Sequence, residues 1–366
     1  MTDSSPQHQA LRLLIDLIRF PSLSHQEGPI ADFLEDYIAE RGLAVRRHRD
    51  NLYFALGEGS DRLLLNSHLD VVPPSADHPF EPFEPTLADG YLFGRGAVDA
   101  KASVASMVVA VLELAENGWS PENGQVLVAL TTCEEMGKGY NGLEDLLPHL
   151  PALRAALVGE PTDLRPCTSQ KGLLILNVRA TGHAAHAARA SLGENAIVKA
   201  ADDIRRLVEI RLDRDDPLLG PVTVTPTIVS GGTAKNTVPE ECTFTVDIRS
   251  TPAYSHDELV AIVRDALESD VQIHSDRLVP VRTSLEERIV RAAVAATGEE
   301  PFGSPTMSDW IFLSGTPTVK IGPGSSDLSH TSNERISMDE VTRAVGVYKD
   351  VIIRYFSLED GEPVRN

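Results

Sequence analysis

The sequence predicts an α/β protein whose mixed, largely parallel sheet is interrupted by a smaller inserted domain. Short apolar stretches that are typical of buried strands alternate with segments in which apolar residues repeat at helical spacing. Several acidic and histidine residues directly follow these apolar stretches. Between residues 172 and 281 the order changes to strand, helix, two strands, helix and strand, as in a ferredoxin-like unit. We therefore expect residues 1–171 and 282–366 to form one domain and residues 172–281 another.

The larger domain is predicted to begin with two amphipathic helices and to continue as strands that precede polar loops. Pro21 and Gly42 mark the ends of these helices, because proline and glycine seldom continue a helix. After Asp99, apolar residues recur at helical spacing as far as Gly118. The predicted elements are helices at 10–20 and 27–41, a hairpin at 45–56, a strand ending at His68, the helix after Asp99, and strands at 125–130, 155–159 and 317–321.

The inserted domain combines strands of alternating apolar residues with two helices. Ser255 and Glu258 have the spacing of a capping box, in which each side chain pairs with the backbone N–H of the other residue. Ser337 and Glu340 have the same spacing and predict the start of the last helix of the larger domain. The predicted elements of the insertion are strands at 173–180, 222–229, 242–249 and 271–274, and helices near 195–209 and after Ser255.

Composition narrows the classes of partner. The 366 residues carry a formal net charge of −21, which disfavours nucleic acid and anionic membranes and leaves small molecules as the expected partners. No apolar run approaches the roughly 18 residues that cross a bilayer, and residues 1–20 lack the features of a signal peptide. We therefore expect a cytoplasmic protein that does not bind membranes.

The cysteines do not predict a disulfide framework or a thiolate metal site. Cys133, Cys167 and Cys242 are far apart in the sequence, form no CxxC pair and are odd in number. We therefore expect all three to be buried, unreactive thiols.

The strand that ends at His68 carries the first candidate ligands. His68 and Asp70 are two residues apart, so in an extended chain their side chains point to the same side. A zinc-bound histidine usually donates its second ring N–H to a carboxylate, which fixes the tautomer, and the side chain of Asp70 is placed for that contact. The tripeptide alone is common in ordinary strand-to-loop turns, so the prediction needs the rest of the chain.

Further candidate ligands follow the ends of other predicted strands. In open α/β sheets, binding sites lie beyond the carboxyl ends of the strands, so distant segments can converge in one crevice. These candidates are Asp99 in the Gly94–Asp99 stretch, the adjacent Glu134 and Glu135, Glu160, and His330.

Seven motifs, in order, resemble those of a known enzyme family. They are SHLD, GRGAVDAK, TTCEE, VGEP, GHAAHA, GGTAKNTVP and LSHTSNE. In these motifs the chain resembles the two-zinc amidohydrolases, a family that includes acetylornithine deacetylase, succinyl-diaminopimelate desuccinylase, aminoacylase and glutamate-releasing carboxypeptidase. The resemblance covers nearly the whole chain. It implies a zinc-peptidase-like catalytic domain at residues 1–171 and 282–366, with a lid and dimerisation domain at 172–281.

The resemblance also implies roles for the candidate ligands. One ion would be held by His68 and Glu160 and the other by Glu135 and His330, with Asp99 bridging both. Oxygen and nitrogen ligands without thiolate suit zinc and also admit cobalt or manganese. Glu134 resembles the catalytic base of the family, and Asp70 would orient His68.

Residues of the inserted domain resemble further contacts of the family. His186 matches a histidine that reaches the site, often from the neighbouring subunit, and Asn236 matches a second polar contact. Arg249 resembles an arginine that binds the substrate carboxylate. The glycine-rich turn at 322–324 could offer its backbone amides, including that of Gly324, to the substrate carboxylate. Lys171 and Lys235 are weaker candidates for this contact, and His183 is expected to be an incidental loop residue. Asp309 matches a family position without a role we can assign.

The resemblance implies hydrolysis of the amide bond of an N-acyl amino acid. The best single expectation is acetylornithine, which would yield ornithine and acetate in arginine biosynthesis. The residue after the GRGAVDAK motif is glycine in the family and Ala102 here. In this position the chain resembles the branch of the family that acts on acetylated ornithine-type substrates. The alternatives are desuccinylation of a diaminopimelate derivative, release of lysine or ornithine from a carrier protein, and a non-catalytic binding module. The resemblance also implies a homodimer.

Overall fold

The computed structural model describes residues 6–136 and 139–359, which fall into two compact units. The first unit comprises Met1–Thr168, Thr283–Phe302 and Ser308–Asn366, and the second comprises Ser169–Arg282 and Gly303–Met307. The sequence placed the inserted segment at 172–281 and did not group residues 303–307 with it.

The first unit contains helices, a large sheet and a small sheet. In chain order its elements are α1 (Pro6–Ile18), α2 (Gly28–Ala39), β1 (Val45–His48), β2 (Asn51–Leu56), β3 (Asp61–His68), β4 (Thr86–Ala88), β5 (Tyr91–Phe93), α3 (Lys101–Glu116), β6 (Gly124–Thr131), α4 (Gly142–Leu146), β7 (Ala155–Val158) and β8 (Cys167–Gln170).

The second unit follows, and the chain then returns to the first. The elements are β9 (Gly172–Thr181), β10 (Ala185–His186), α5 (Ala196–Glu209), β11 (Thr223–Gly231), β12 (Thr237–Val238), β13 (Glu241–Ser250), α6 (His256–Ala266), β14 (Asp270–Leu278), β15 (Val281–Arg282), α7 (Arg288–Thr297), β16 (Phe302–Ser304), β17 (Thr318–Lys320), β18 (Arg335–Ser337) and α8 (Met338–Ser357).

The large sheet of the first unit has the mixed, largely parallel character that the sequence predicts. Its strands lie in the order β1-β2-β6-β3-β7-β17-β8. The central pairs β6-β3, β3-β7 and β7-β17 are parallel, whereas β1-β2, β2-β6 and β17-β8 are antiparallel. Because β3, β6 and β7 run in the same direction, their carboxyl ends meet at one edge of the sheet. The predicted fold class is confirmed.

Helix α3 is buried on nearly all sides. The sequence predicted an apolar face at helical spacing, and the structure also buries the small residues between these positions, such as Ala105 and Ala110. The helix packs against the sheet and against α1 and α8, so every side of it meets other elements. Within the described residues, no helix combines the length and the apolar character needed to cross a bilayer.

The second unit has the predicted ferredoxin-like arrangement. Its antiparallel strands lie in the order β11-β13-β9-β14, and α5 and α6 pack on the sheet. Alternate residues of β9 and β13, including Leu176 and Val246, form the core beneath these helices. Strand β11 lies at an edge of the sheet and leaves Ile228 and Val229 65% and 64% exposed.

One of the two predicted capping boxes is present. Ser255 accepts from the N–H of Glu258, whose side chain accepts from the N–H of Ser255. At the start of α8, Ser337 makes no side-chain cap. Glu340 instead accepts a hydrogen bond of 2.8 Å from the N–H of Gly324. The second prediction is therefore wrong, because a tertiary partner takes the glutamate side chain.

Candidate metal centre

His68 ends β3 and lies fully inside the protein. Its Nδ1 is 3.0 Å from the backbone carbonyl of Asp70 and 3.5 Å from the carboxylate of that residue. These contacts favour a proton on Nδ1, while Nε2 faces the site, 3.2 Å from Oδ1 of Asp99. Burial opposes a charge on His68, but its hydrogen bonds to Asp70 and Asp99 raise its pKa well above the usual range. The nearer partner of Nδ1 is therefore the backbone carbonyl of Asp70, and the carboxylate that the sequence predicted as its acceptor lies farther away, at 3.5 Å.

Asp70 also holds the segment that carries the two adjacent glutamates. Its two carboxylate oxygens accept hydrogen bonds of 3.1 Å from the N–H groups of Glu134 and Glu135. Ser24 donates a third hydrogen bond of 2.7 Å. The preceding residue, Cys133, has a φ of 57°, in the left-handed region, and this turn directs both amides toward Asp70. Asp70 thus links the His68 strand end to the one that carries Glu134 and Glu135.

Asp99 lies between two groups of potential ligands. Its Oδ1 is 3.2 Å from Nε2 of His68, and its Oδ2 is 3.4 Å from Nε2 of His330. Glu160 lies 3.7 Å from the first imidazole, and Glu135 lies 3.0 Å from the second. Donor atoms of His68, Asp99 and Glu160 all lie within 4.8 Å of one another, as do those of Asp99, Glu135 and His330. One carboxylate therefore faces two ligand groups.

Glu134 lies beside these groups. A carboxylate oxygen of Glu134 is within 4.8 Å of donor atoms of both His68 and Glu135. Burial raises the pKa of Glu134 well above its usual range; His68 opposes this shift, while the charges of Glu160 and Glu135 add to it. A carboxyl group in this position can exchange a proton with a molecule bound in the site.

The charge balance of the site favours bound cations. Burial, followed by the charge of Asp99, raises the pKa of Glu160 to about 8. Burial and the same neighbour also raise the pKa of Glu135. Buried carboxylates in such proximity are costly unless positive charge compensates them. The imidazole and carboxylate donors, with no thiolate among them, suit zinc and also fit cobalt or manganese.

Asp309 supports the end of β6 from behind the site. It accepts hydrogen bonds of 3.1 Å from the hydroxyl of Thr131 and 2.8 Å from the side-chain amide of Asn141. Burial raises its pKa to about 6. The sequence assigned no role to Asp309, and these contacts make it an anchor for the chain on both sides of Glu134 and Glu135.

The N-terminal loop contributes contacts that the sequence did not predict. Glu27 accepts a hydrogen bond of 3.0 Å from the N–H of Cys133, and Ser22 donates one of 2.7 Å to the carbonyl of Leu69. With Ser24, this loop fixes the turns that follow β3 and β6. The sequence offered no signal for this role, because a serine and a glutamate after a helix are typical of any solvent-exposed loop.

In the second unit, His186 and Asn236 lie on adjacent short strands or at their ends. His186 pairs with Thr237 in the β10-β12 ladder, and Asn236 accepts a backbone hydrogen bond of 2.8 Å from Ala187. Nδ1 of His186 accepts a hydrogen bond of 3.1 Å from the N–H of Ala188, which leaves Nε2 for other contacts. The structure thus brings together these two predicted residues, which are fifty positions apart.

His183 and Lys235 remain weak candidates. The imidazole of His183 is exposed and lies 3.4 Å from Glu194, in agreement with an incidental loop position. Lys235 is exposed on the loop before β12.

The predicted substrate contacts have different outcomes. Arg249 makes two hydrogen bonds, of 2.9 and 3.2 Å, to the carboxylate of Asp247. Lys171 donates a hydrogen bond of 2.7 Å to the carbonyl of Pro221, and burial lowers its pKa. The prediction for Gly324 is wrong, since its N–H donates to Glu340 and is not available to a substrate.

The chain matches one protein family over most of its length. The model of peptidase family M20/M25/M40 matches residues 64–354. Succinyl-diaminopimelate desuccinylase of Cereibacter sphaeroides is 30% identical over 377 residues, covering 94% of this chain and 98% of the relative. The [LysW]-lysine/[LysW]-ornithine hydrolase of Sulfurisphaera tokodaii is 29% identical over 350 residues, covering 93% and 94%.

Solved structures share the fold at lower identity. Aminopeptidase PepT of Bacillus cereus has a TM-score of 0.79 at 21% identity, covering 96% of this chain and 99% of that one. A dinuclear metal binding peptidase of the M20 family from Bacillus subtilis has a TM-score of 0.76 at 16% identity, covering 96% and 99%. At these identities the likeness establishes the fold alone.

Proposed function

This chain belongs to peptidase family M20/M25/M40, and from that premise we propose that it cleaves the amide bond of an N-acyl amino acid. The family match confirms the resemblance predicted from the seven motifs, and the chain is a metal-dependent hydrolase. The observation that carries the proposal is the position of Asp99, whose two oxygens face His68 and His330 separately.

The proposed metal centre uses five side chains. His68 and Glu160 would hold one ion, and Glu135 and His330 the other. Asp99 would bridge the two, because each of its oxygens faces one group. Zinc is the proposed metal, with cobalt and manganese as chemically suitable substitutes. Two ions held there would lower the pKa of a bound water to about 7 and would polarise the acyl oxygen.

Glu134 is proposed as the general base and then the general acid. In the first step its carboxylate accepts a proton from the attacking water. In the second step it donates that proton to the nitrogen that leaves, so the amine departs uncharged and the acid product keeps the oxygen of the water. Asp70 holds the backbone N–H of Glu134, so the carboxylate does not need to find its position when substrate binds.

Two residues of the second unit are proposed as polar contacts to the reacting carbonyl. The hydrogen bond from the N–H of Ala188 uses Nδ1 of His186 and not Nε2. Asn236 directly precedes β12, the strand that pairs with the one that carries His186. Donors of this kind stabilise the negative charge that develops on the acyl oxygen. Arg249 is proposed to bind the substrate carboxylate, which would then compete with Asp247 for the guanidinium. Lys171 is a second proposed contact.

The acyl group and the amino acid are the finer part of the proposal. Acetylornithine remains our first candidate, from the motifs of the sequence. The names of relatives favour two others equally, a succinyl-diaminopimelate and a lysine or ornithine carried by a protein. A substrate panel on protein loaded with Zn²⁺ or Co²⁺ separates them by kcat/KM. Faster cleavage of the succinyl substrate would replace the acetylornithine assignment while leaving the hydrolase assignment intact.

Glu134→Gln is the control that separates catalysis from binding. The amide keeps the size of the side chain but cannot take a proton from water, so we expect kcat to fall about 10²- to 10⁴-fold. Metal content, measured by elemental analysis, should equal that of the wild type because Glu134 is not a proposed ligand. Wild-type protein that holds two ions and cleaves no amide of the panel would favour the non-catalytic reading. Full activity of Glu134→Gln would refute its role as base.

A homodimer through the second unit is proposed from the same family resemblance. Ile228 and Val229 are exposed on the edge strand β11, and Ile197 and Val198 are exposed on α5. Exposed apolar edge strands invite pairing with another chain. Sedimentation of wild-type protein and Ile228→Lys tests this, with a dimer expected for the first and dissociation for the second. An active wild-type monomer would remove the proposal. The cytoplasmic location remains a prediction.

A further inference from the structure

Glu334 and Arg95 form a buried ion pair beside the proposed metal centre. Arg95 lies in the Gly94–Asp99 loop between β5 and α3, and Glu334 lies four residues after His330, just before β18. Their side chains are 2% and 1% exposed, and Nη1 of Arg95 is 2.5 Å from Oε2 of Glu334. The two residues occur in the GRGAVDAK and LSHTSNE motifs, and neither was given a role above.

The carboxylate of Glu334 also holds the backbone next to Asp99. Its Oε1 accepts hydrogen bonds of 3.0 Å from the N–H of Val98 and 3.2 Å from the N–H of Asp99. The backbone carbonyl of Glu334 accepts a longer hydrogen bond, of 3.3 Å, from the N–H of Gly94. One residue therefore contacts both ends of the loop that presents Asp99.

Arg95 holds the buried side chain of Glu334 in place and opposes the rise in pKa that burial causes there. A buried carboxylate without a counter-ion would be unfavourable, and the guanidinium supplies that charge. Nη2 of Arg95 lies 3.3 Å from Nε2 of His78, and its backbone N–H donates 2.7 Å to the carbonyl of Pro82. His78 and Pro82, which hold the arginine, are not among the proposed metal ligands.

We infer that Glu334 is a positioning residue that sets the backbone of Asp99 so that its two oxygens face His68 and His330. This inference rests on the proposed function, in which Asp99 bridges two ions. Asp99 has little freedom once the N–H groups of Val98 and Asp99 are held, because only its own side-chain torsions remain. Glu334 also follows His330 closely in the chain, so it connects the loops of two ligands.

Two substitutions at Glu334 distinguish the positioning of the Asp99 backbone from a purely structural ion pair with Arg95. Glu334→Asp keeps the charge opposite Arg95 but is one methylene shorter, so it cannot satisfy Arg95 and both N–H groups together. Glu334→Gln keeps the length and a carbonyl oxygen for the N–H groups, but loses the charge. The same substitutions at Glu113 serve as matched controls. Glu113, on α3, is a buried carboxylate that pairs at 2.6 Å with Lys349, on α8 of the same unit.

The measurement is calorimetric titration of metal-free protein with Co²⁺, together with the electron paramagnetic resonance of the loaded protein. We expect Glu334→Asp to weaken Co²⁺ binding about 10- to 100-fold and to alter the spectroscopic coupling of the two ions. Glu334→Gln should bind Co²⁺ more tightly than Glu334→Asp, and both Glu113 variants should match the wild type. Wild-type affinity and spectrum in Glu334→Asp would overturn the inference, as would tighter binding by Glu334→Asp than by Glu334→Gln.

Hydrogen exchange of the metal-free wild type provides a test that needs no variant to fold. If Glu334 holds the loop before metal binds, the amides of Val98 and Asp99 exchange slowly without metal. Exchange at the rate of unprotected amides would overturn the inference. A wild-type protein that bound fewer than two Co²⁺ ions would overturn the proposed metal centre and this inference with it. If the wild type binds two Co²⁺ ions and Glu334→Asp binds them with wild-type affinity, this inference alone is overturned and the proposed metal centre stands.

Discussion

The candidate residues of the two units are held in different ways. In the first unit, His68 is 1% exposed, and Asp70 fixes both its ring and the backbone of Glu134 and Glu135. In the second unit, His186 and Asn236 lie on exposed short strands, and Arg249 is fixed mainly by Asp247. The first set is held by burial and by hydrogen bonds from distant segments, whereas the second set is exposed or partly exposed.

This difference has a physical cause. Metal ligands must meet within a few tenths of an ångström, and only a buried network with satisfied hydrogen bonds supplies that precision. Contacts to a substrate form and break in every cycle, so an exposed side chain with one or two local hydrogen bonds suits them better.

Among the substitutions that compare the two units, His186→Ala is expected to have the largest effect, and it removes an exposed imidazole. We expect kcat to fall about 10²- to 10³-fold, with metal content unchanged, because the contact proposed for His186 is to the reacting carbonyl. If His186 acts in the partner's site, mixing this variant with Glu134→Gln should restore activity. Random exchange of subunits gives hybrids with one complete site, up to about a quarter of wild-type activity.

Absence of complementation after verified subunit exchange would place His186 in the site of its own chain. Unchanged kcat in His186→Ala would remove it from the reaction altogether. Either result would also sharpen the contrast between the two units.

Asp309→Asn tests the cost of burying a carboxyl group behind the site. The pKa of Asp309 in the folded state is about 6, above the unfolded value of 3.8. The folded state therefore binds the proton more tightly, and the wild type loses stability as pH rises from about 4 to about 6. Asparagine does not ionise and can still pair with Thr131 and Asn141.

Unfolding of metal-free protein by denaturant should show Asp309→Asn to be more stable above pH 6 by about 3 kcal/mol. Below about pH 4 the two proteins should converge, because Asp309 is then protonated in both states. An advantage of the variant that did not depend on pH would contradict this explanation.

Asp70→Asn tests the buried network directly. The amide retains only one acceptor oxygen, so it cannot accept from the N–H groups of both Glu134 and Glu135. We expect metal affinity to fall about 10- to 100-fold, as measured by titration with Zn²⁺. Ser24→Ala removes one contact to Asp70 without changing its charge and should have a smaller effect. Equal affinities for the wild type and Asp70→Asn would argue against preorganisation.

The smallest effect is expected from Ser255→Ala in the second unit. The substitution removes the hydroxyl that accepts from the N–H of Glu258 at 3.1 Å. Loss of such a cap costs about 1 kcal/mol of stability. Thermal unfolding should therefore shift slightly, with metal affinity unchanged. Ser337→Ala is the matched control, since Ser337 makes no side-chain cap and its replacement should leave stability nearly unaltered.

Much of the fold could be predicted because its signals are local. The apolar runs at β3, β6 and β7, and the alternation in β9 and β13, correspond to strands within a few residues of their predicted ends. The ligand positions followed from their place after these strands and from the family motifs. Their roles as ligands remain predictions, while their proximity is a property of the structure.

The sequence misassigned residues whose partners lie far away in the chain. Glu340 had the spacing of a cap but pairs with Gly324, and this contact also removed the predicted amide donor. Glu334 pairs with Arg95 across 239 positions, and Glu27 reaches Cys133 across 106. Such pairings leave no periodic or spacing signal, because either partner alone is compatible with an exposed loop.

The amino-acid sequence by itself determined the α/β class, the ferredoxin-like insertion and the residue types available at the strand ends. These depend on periodicity and on chemistry that each segment carries alone. Only the tertiary structure decided that Asp99 faces two imidazoles, that Asp70 serves two glutamates, and that Glu334 holds the loop of Asp99. Those arrangements depend on how parallel strands and their loops converge, and hydrogen bonds between distant segments fix them.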